Sequence, residues 1–342
     1  MRLSSRPLAG CGVVVVGASS GIGRATALLF AGHGVRLVLA ARGADELRTV
    51  AEECRALGAP AVVTCPIDIG HPPDVERLGR VARAELGEVD VWVNAAAVLL
   101  AGDLTDCPVD DIERIIDTNV LGTTLLAREA LSTFDERGRG TLINVSSLLG
   151  LVPNPVVPAY CMTKFAVRGL TVTLQRSRRA GSIDICLVLP GPVDTPMFVT
   201  AANHTGRELR SIPPAESPWR IAAAIVRCAR RPRRTVTVGV TGWGLLLAHR
   251  VVPGLVEWGV ACFAGTFLTR SNGAEATSGN LHRPLGLGAV DGGYRRGARR
   301  ARLGDELGRW AGTRSATKSV VQDGGLGGVR PTGAVDGAAG VG

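Results

Sequence analysis

The sequence places a tyrosine and a lysine four residues apart, at Tyr160 and Lys164. On a helix this spacing brings both side chains onto one face. A tyrosine hydroxyl with an ordinary pKa of about 10 is a weak acid at neutral pH, and a neighbouring ammonium group lowers that pKa. The pair therefore predicts acid–base chemistry, and chance is a poor explanation because the chain has two tyrosines and two lysines in all.

Further polar residues could complete such a site. Ser146 and Ser147 directly follow the apolar run 141–145, so either hydroxyl could hydrogen-bond a substrate oxygen. Asn119 interrupts a helix-like stretch, where it could either join the chemistry or form a kink or cap in the helix. These residues must be brought together by the elements around them.

A glycine-rich turn links the first apolar run, 13–16, to a helix-like stretch that starts near Arg24. Glycines allow a sharp turn and a close approach of the backbone, and the free N–H groups of the helix start attract an anion. Strand, turn and helix in this order predict a pyrophosphate site of a dinucleotide. The turn residues expected at the cofactor are Gly17, Ser19, Ser20, Gly21, Ile22 and Gly23.

Apolar runs alternate with helix-like stretches as far as Pro190. The runs are 13–16, 35–40, 61–65, 89–93, 141–145 and 183–189, and a further strand is expected at 234–240. Continuous apolar runs are typical of parallel strands covered by helices on both faces. The predicted fold class is α/β, a Rossmann-type doubly wound parallel sheet in a single domain with apolar C-terminal helices.

Three segments follow from this pattern. Residues 1–240 are the expected cofactor-binding and catalytic domain, and 241–270 an apolar helical extension. The longest uncharged stretch there, 258–269, has 12 residues, whereas a membrane-spanning helix needs about 20. The extension is expected to be a lid, an oligomer contact or a weak membrane-surface segment. Residues 271–342 are glycine-rich without apolar periodicity, which predicts a disordered tail.

Charge and cysteine spacing limit the function further. Of the net charge of +9, +4 falls in residues 271–342, ten basic against six acidic, so no nucleic-acid partner is expected. The eight cysteines are spread singly, which argues against a metal site and indicates reduced thiols. A cytoplasmic location is expected.

Taken together, these motifs resemble the short-chain dehydrogenase/reductase family over most of residues 11–240. The resemblance lies in the glycine turn, in the Tyr160 and Lys164 pair, and in Ser147 thirteen residues before Tyr160. Two departures affect the cofactor loops: Val16 replaces a usual threonine, and Asn94 is followed by alanines where the family has Asn-Ala-Gly.

The resemblance implies where a nicotinamide cofactor lies. Ala41 stands where NAD-dependent members carry aspartate, and Arg42 follows it, so NADP(H) is expected in preference to NAD(H). Asp68 and Asn94 are the expected contacts of the adenosine. Pro190, Gly191, Val193 and Thr195 are the expected contacts of the nicotinamide, together with Tyr160 and Lys164, and 196–218 is the expected substrate lid.

It also implies a reaction. Asn119, Ser147, Tyr160 and Lys164 are the expected catalytic residues for hydride transfer between NADP(H) and a carbonyl or secondary alcohol, without a metal. The apolar 241–270 segment favours a hydrophobic small molecule, and a homo-oligomer is expected. The alternative is a catalytically silent dinucleotide-binding regulator or scaffold on the same fold.

Overall fold

A computed structural model describes residues 6–177 and 182–294. In chain order its strands are β1 (Gly12–Val16), β2 (Arg36–Ala41), β3 (Ala61–Pro66), β4 (Val91–Asn94), β5 (Leu100–Ala101), β6 (Arg139–Val145), β7 (Ser182–Pro190), β8 (Ala202–Asn203), β9 (Arg207–Leu209), β10 (Thr235–Val238) and β11 (Thr269–Gly273). Seven of them form one parallel sheet in the order β10-β7-β6-β4-β1-β2-β3.

Helices cover both faces of this sheet. They are α1 (Gly21–Ala31), α2 (Ala44–Ala56), α3 (Pro72–Leu86), α4 (Val109–Ile116), α5 (Thr123–Asp135), α6 (Pro158–Ser177), α7 (Met197–Thr200), α8 (Pro218–Arg230), α9 (Val240–Val251) and α10 (Pro253–Leu268). A π-helical turn, Asp117–Gly122, joins α4 to α5, and a 3-10 turn, Leu148–Gly150, follows β6.

Alternation along β1 shows why the strands are apolar throughout. Val13 and Val15 face the layer that contains α1, α2 and α8, whereas Val14 and Val16 face the layer that contains α3 and α5. All four side chains are fully buried because each face of the strand carries helices. The predicted doubly wound α/β fold is thus confirmed, and each of the seven apolar runs contains one strand of the sheet.

The carboxyl ends of the parallel strands lie along one edge of the sheet. The glycine turn follows β1 there, Arg42 follows β2, and Asp68 follows β3. Ser147 follows β6 at the same edge. Open α/β sheets bind their ligands at this edge, so the fold gathers the predicted residues where a ligand site is expected.

The apolar extension predicted for 241–270 forms the helices α9 and α10, which pack against each other. Ala264 and Leu268 of α10 are buried, but many large apolar side chains of the two helices face solvent. These are Leu247, Val251, Val252, Leu255, Trp258, Phe263 and Phe267. Among the described residues, no helix combines the length and hydropathy that crossing a membrane requires.

The lid predicted for 196–218 contains regular structure. It includes α7 and the short strands β8 and β9. β8 pairs with β5 in parallel, and β9 pairs with β11 in antiparallel orientation. These pairings attach the segment both to the loop after β4 and to the chain beyond α10.

The prediction of disorder over 271–342 is wrong for its first part. β11 pairs with β9, and residues 274–294, here called the C-terminal strap, run back along the carboxyl edge of the sheet. The strap makes its contacts largely through backbone groups and so needs no apolar periodicity. The rest of that prediction, from residue 295 on, lies outside the described residues.

The core under β6 offers a test of this architecture. Phe134 is fully buried, and its ring lies where a side chain at Gly140 of β6 would have to stand. Replacing Phe134 with alanine should lower the free energy of unfolding by about 3–5 kcal/mol. Phe263, which is 55% exposed, is the matched control, and its replacement should cost under about 1 kcal/mol. Urea unfolding of both variants measures the difference, and equal losses would contradict the packing described.

Candidate active site

The glycine turn packs tightly against the backbone beyond β4. Gly17 has φ +85°, and a Cβ atom there would lie 2.6 Å from the amide nitrogen of Ala96. A Cβ atom at Gly23 would overlap the carbonyl oxygen of Gly17. The turn therefore requires glycine at both positions, and it brings the N-terminus of α1 directly to the edge of the sheet.

Arg42 is half-buried beside a second guanidinium group, that of Arg114 from α4. The Nη1 and Nη2 atoms of Arg42 donate to the carbonyl oxygens of Leu281 and Asn280 at 2.7 and 2.6 Å. The pKa of Arg42 is lowered, chiefly by burial and also by the Arg114 guanidinium, and the Asp68 carboxylate offsets part of this shift. Arg114 in turn pairs with Asp68, so both arginines and Asp68 form one charged group at the ends of β2 and β3.

The side chain of Asn94 is bound within the sheet. Its Oδ1 atom accepts from the Trp92 indole at 3.0 Å, and its Nδ2 atom donates to Asn144 at 2.9 Å. Asn144 then donates to Thr171 of α6 at 3.0 Å. This chain of hydrogen bonds joins β4, β6 and α6. The Asn94 side chain is therefore bound inside the fold, and the residues after it, Ala95 to Ala97, line the cleft.

Asn119 lies in the π-helical turn and is buried. Its Oδ1 atom accepts from the amide of Val98, its Nδ2 atom donates to the carbonyl of Val98, and both distances are 2.9 Å. Nδ2 also lies 3.1 Å from the hydroxyl of Thr163, the residue before Lys164. Asn119 thus connects the loop after β4 to α6, and π-helical turns are frequent at functional sites.

Ser147, Tyr160 and Lys164 come together as predicted. The Ser147 hydroxyl is close enough to Tyr160 to lower the pKa of that residue, and the Ser147 Oγ atom accepts from the amide of Leu149 at 3.1 Å. The Lys164 Nζ atom lies 5.4 Å from the centroid of the Tyr160 ring. The neighbouring Ser146 donates instead to the carbonyl of Lys164 at 3.0 Å, so it braces α6.

Burial governs the protonation of this group. It raises the pKa of Tyr160 well above the ordinary value, and the Ser147 hydroxyl offsets a smaller part of that rise. Burial also lowers the pKa of Lys164 to about 8. The spacing predicts that Lys164 lowers the Tyr160 pKa, whereas in the structure burial, with Cys161 as a smaller contributor, raises it.

The turn after β7 faces the N-terminus of α1. Gly191 donates its N–H to the carbonyl of Val238 at 3.3 Å, and Val193 pairs with Glu216 in an isolated bridge. Thr195 is buried, and its methyl group would lie 3.2 Å from a Cβ atom at Gly21. Pro190 ends β7 just before this turn. Thr195 therefore borders the same cleft as the glycine turn.

One cleft is lined by part of the predicted cofactor set, whereas the side chains of Asn119, Ser147, Tyr160 and Lys164 are not in its lining. Its lining includes Gly17, Ser19, Ser20, Gly21, Ile22, Gly23, Arg42, Asp68 and Thr195 from the predicted cofactor set, and also Ala95, Ala96, Ala97 and Thr118. Residues of the strap, Asn280 and Pro284 to Leu287, form the opposite wall.

Sequence reasoning missed three contributors to this site. Arg114 lies far from Arg42 in sequence, and it resembles any other helix-surface arginine. Thr118 precedes Asn119, and within the described part of the chain its buried hydroxyl has no hydrogen-bond partner. The strap carries no recognisable motif. The position of Thr118 beside Asn119 was the one available signal.

Comparison with known proteins identifies the family. A model of the short chain dehydrogenase family matches residues 12–205. The chain is 32% identical to an uncharacterized oxidoreductase of Bacillus subtilis, YxnA, over 72% of this chain and 70% of that protein. It is 33% identical over 64% of its length to an uncharacterized oxidoreductase of Staphylococcus aureus, SA2266, of which it covers 91%.

Two solved structures are similar to this chain in fold. An alcohol dehydrogenase from Thermococcus sibiricus, complexed with 5-hydroxy-NADP, superposes with a TM-score of 0.58 at 26% identity, over 66% of this chain and 94% of that one. A short-chain dehydrogenase/reductase from Burkholderia phymatum in complex with NAD has the same fold, with a TM-score of 0.65 at 22% identity, over 80% and 99%.

The fold places the chain in the class of doubly wound α/β proteins, which bind their ligands at the carboxyl ends of the strands. Within that class, the chain belongs to the short-chain dehydrogenase family. It is an oxidoreductase of that family.

The buried Lys164 gives a pH test of the site. Its folded pKa of about 8 lies below the ordinary lysine pKa of 10.5. Below pH 8 the lysine is charged in both states, and the folded state carries the full cost of burying the ammonium. That cost falls as pH rises toward 10.5, because only the unfolded state then keeps the proton.

Lys164→Met should therefore raise the free energy of unfolding at pH 7 by on the order of 3 kcal/mol, and this gain should shrink to about 1 kcal/mol at pH 10. Arg168→Met, one turn further along α6, is the control and should show no such pH dependence. Urea titrations at several pH values measure both. A gain for Lys164→Met that stays constant from pH 7 to 10 would contradict the buried-ammonium geometry.

Proposed function

We propose that this protein is an NADP(H)-dependent oxidoreductase that transfers a hydride between the nicotinamide and a carbonyl or secondary alcohol of a hydrophobic small molecule. The observation that carries the proposal is the group of Ser147, Tyr160 and Lys164, placed at the same sheet edge as the glycine turn. The complex of the Thermococcus sibiricus relative with 5-hydroxy-NADP supports the cofactor class.

The residues of the cleft fit a dinucleotide. The glycine turn allows the backbone to approach a pyrophosphate, and the N-terminus of α1 supplies N–H groups and a favourable dipole. Small Ala41 leaves room for a 2′-phosphate, and the guanidinium of Arg42 matches its geometry and charge. Asp68, Asn94, Pro190, Gly191, Val193 and Thr195 are proposed to hold the two ends of the cofactor.

The catalytic residues act on the oxygen of the substrate. When bound, NADPH would supply the hydride. In the reductive direction the Tyr160 hydroxyl gives its proton to the substrate oxygen, and the Ser147 hydroxyl donates a hydrogen bond to the same oxygen. The Lys164 ammonium favours the resulting tyrosinate, and Asn119 positions α6 through Thr163.

An apolar environment around Tyr160 supports a hydrophobic substrate. Tyr160 belongs to a cluster that includes Leu209 of β9 and Leu268 of α10, with Met197 and Phe198 of α7 packed against it. A polar substrate would have to lose its hydration without gaining hydrogen bonds there, which costs free energy. The lid role of 196–218 is part of this proposal.

The exposed apolar face of α9 and α10 supports the proposed partners. Its side chains include Trp258, Phe263 and Phe267. An exposed apolar surface of this kind marks a contact with another protein or with a membrane. A homo-oligomer would cover it, and weak membrane-surface contact is the alternative. The cytoplasmic location stays a prediction.

The cofactor preference can be tested at Arg42. Removing a charged hydrogen-bond donor from a phosphate costs about 1.5–3 kcal/mol, so Arg42→Ala should reduce the ratio of NADPH to NADH affinity by about tenfold or more. The ratio of the two affinities isolates the 2′-phosphate contact, because any other effect of Arg42 on the cleft changes the NADPH and NADH affinities alike. Titration by nicotinamide fluorescence measures it.

The control for this experiment is Arg48→Ala. Arg48 lies on the exposed surface of α2 and pairs with Asp45. Its removal should leave the ratio unchanged. If Arg42→Ala keeps the wild-type ratio, Arg42 does not select the cofactor.

Tyr160→Phe tests the catalytic assignment. It removes the proton donor while keeping the ring, so kcat should fall by about a hundredfold to ten-thousandfold, with NADPH affinity preserved. Turnover of a panel of apolar ketones, followed by NADPH oxidation, measures the effect. Met162→Leu, on the exposed side of α6, is the control, and unchanged turnover in Tyr160→Phe would refute the role of the hydroxyl.

A further inference from the structure

The C-terminal strap crosses the cleft that the proposed function gives to the dinucleotide. It places backbone carbonyl oxygens at two positions where the cofactor should present its negative charges. One is at Arg42, after β2, and the other is at Gly21, the first residue of α1. The strap therefore occupies the site through the donors that would hold the ligand.

At the first position, two guanidinium groups converge on one oxygen. Arg42 Nη1 and Arg114 Nε lie 2.7 and 3.0 Å from the carbonyl oxygen of Leu281, and Arg42 Nη2 lies 2.6 Å from that of Asn280. Asp68 offsets part of this charge through Arg114. A neutral carbonyl is a weaker partner for two guanidinium groups than a phosphate oxygen, because the phosphate adds a negative charge opposite their positive charges.

At the second position, the strap caps α1. The N–H of Gly21 donates to the carbonyl oxygen of Ala289 at 3.0 Å, and Arg24 donates to the carbonyl of Gly288. A helix N-terminus is a favourable site for an anion. The Ala289 oxygen thus stands where a pyrophosphate oxygen would be bound.

Little enclosed space remains beside the strap. With the strap in place the cleft has a volume of about 170 Å³, whereas pockets for organic ligands typically have about 300–1,000 Å³. The donors that a dinucleotide would use are the ones that the strap takes.

We propose that the C-terminal strap is an internal competitor of NADP(H), which closes the cofactor cleft in the free protein and must leave Arg42 and Gly21 before the dinucleotide binds. This inference rests on the proposed function, because it concerns the same cleft. The strap thereby weakens the apparent affinity for the cofactor, because the apparent Kd equals the intrinsic Kd divided by the fraction of molecules in which the cleft is open.

Anchors at both ends allow the middle of the strap to move. At the first end, Thr277 pairs with Asn203, and the imidazole of His282 lies 2.9 Å from buried Asp111, which also binds His204. At the second end, the amides of Gly292 and Tyr294 donate to the Asp194 carboxylate at 3.0 and 2.9 Å. Residues 283–291, which include Ala289, can therefore be released as a loop. Asn280 and Leu281 lie beside the first anchor, so freeing Arg42 also requires that His282 leaves Asp111.

Gly292 offers a selective way to dislodge the strap. A Cβ atom there would overlap the backbone carbonyl of Thr195, which belongs to the turn after β7. Gly292→Ala should therefore displace the second anchor and, with it, the Ala289 carbonyl that caps α1. Gly273→Ala is the matched control, because a Cβ atom at Gly273 would meet open space.

The experiment uses the full-length chain. NADPH and NADH are titrated into the wild type, Gly292→Ala and Gly273→Ala, and hydrogen exchange of peptides covering 280–292 is measured with and without NADPH. We expect Gly292→Ala to bind NADPH about tenfold more tightly than the wild type. We also expect Gly273→Ala to match the wild type, and the strap amides of the wild type to exchange faster when NADPH is bound.

The other outcomes separate the two proposals. Equal NADPH affinity in all three proteins, with strap exchange unaffected by NADPH, overturns the competitor role and leaves the proposed function standing. Weaker binding by Gly292→Ala, with slower strap exchange in the complex, also overturns it, since the strap would then cover the bound cofactor. If no folded variant binds either cofactor, the proposed function fails and the competitor role fails with it.

Discussion

Two backbone segments approach each other at the carboxyl edge of the sheet so closely that no side chain fits between them. A Cβ atom at Gly17 would lie 2.6 Å from the Ala96 amide, and one at Gly23 would overlap the Gly17 carbonyl. This contact places the N-terminus of α1 between the ends of β1 and β4. The cleft, its anion-binding helix end and the wall of alanines after β4 all depend on it.

The reacting groups are held by buried polar bonds on the other side of this edge. Asn94, Asn144 and Thr171 link β4 and β6 to α6, and Asn119 links the loop after β4 to the turn of α6 that carries Lys164. Buried polar groups stabilise a structure only when they are paired, so these bonds require one relative position of the strands and α6. The burial of Lys164 and Tyr160, which shifts both pKa values, is a consequence of that positioning.

The sequence was sufficient to predict the fold and most of the site, because the evidence for both is local. Each strand of the sheet overlaps a mainly apolar run, and the spacing of four residues between Tyr160 and Lys164 is the spacing of one helix face. The strap was not predictable, since its bonds to Arg42 and Gly21 use backbone carbonyls and leave no trace in side-chain pattern.

Two further properties of the site could not be predicted from the sequence, because they depend on contacts between distant residues. The contact of Arg114 with the Leu281 carbonyl joins residues that are 167 positions apart. The pKa of Tyr160 was predicted in the wrong direction, because spacing shows that Lys164 is near but cannot show how deeply the pair is buried.

A crystal structure of the full-length protein with NADPH would show the cofactor and the strap in one experiment. We expect the 2′-phosphate within hydrogen-bond distance of Arg42, the pyrophosphate at the N-terminus of α1, and the nicotinamide facing Tyr160. The Leu281 and Ala289 carbonyls should have left their present donors. A structure in which the strap still holds Arg42 and Gly21 while NADPH lies elsewhere, or is excluded at saturating concentration, would contradict it.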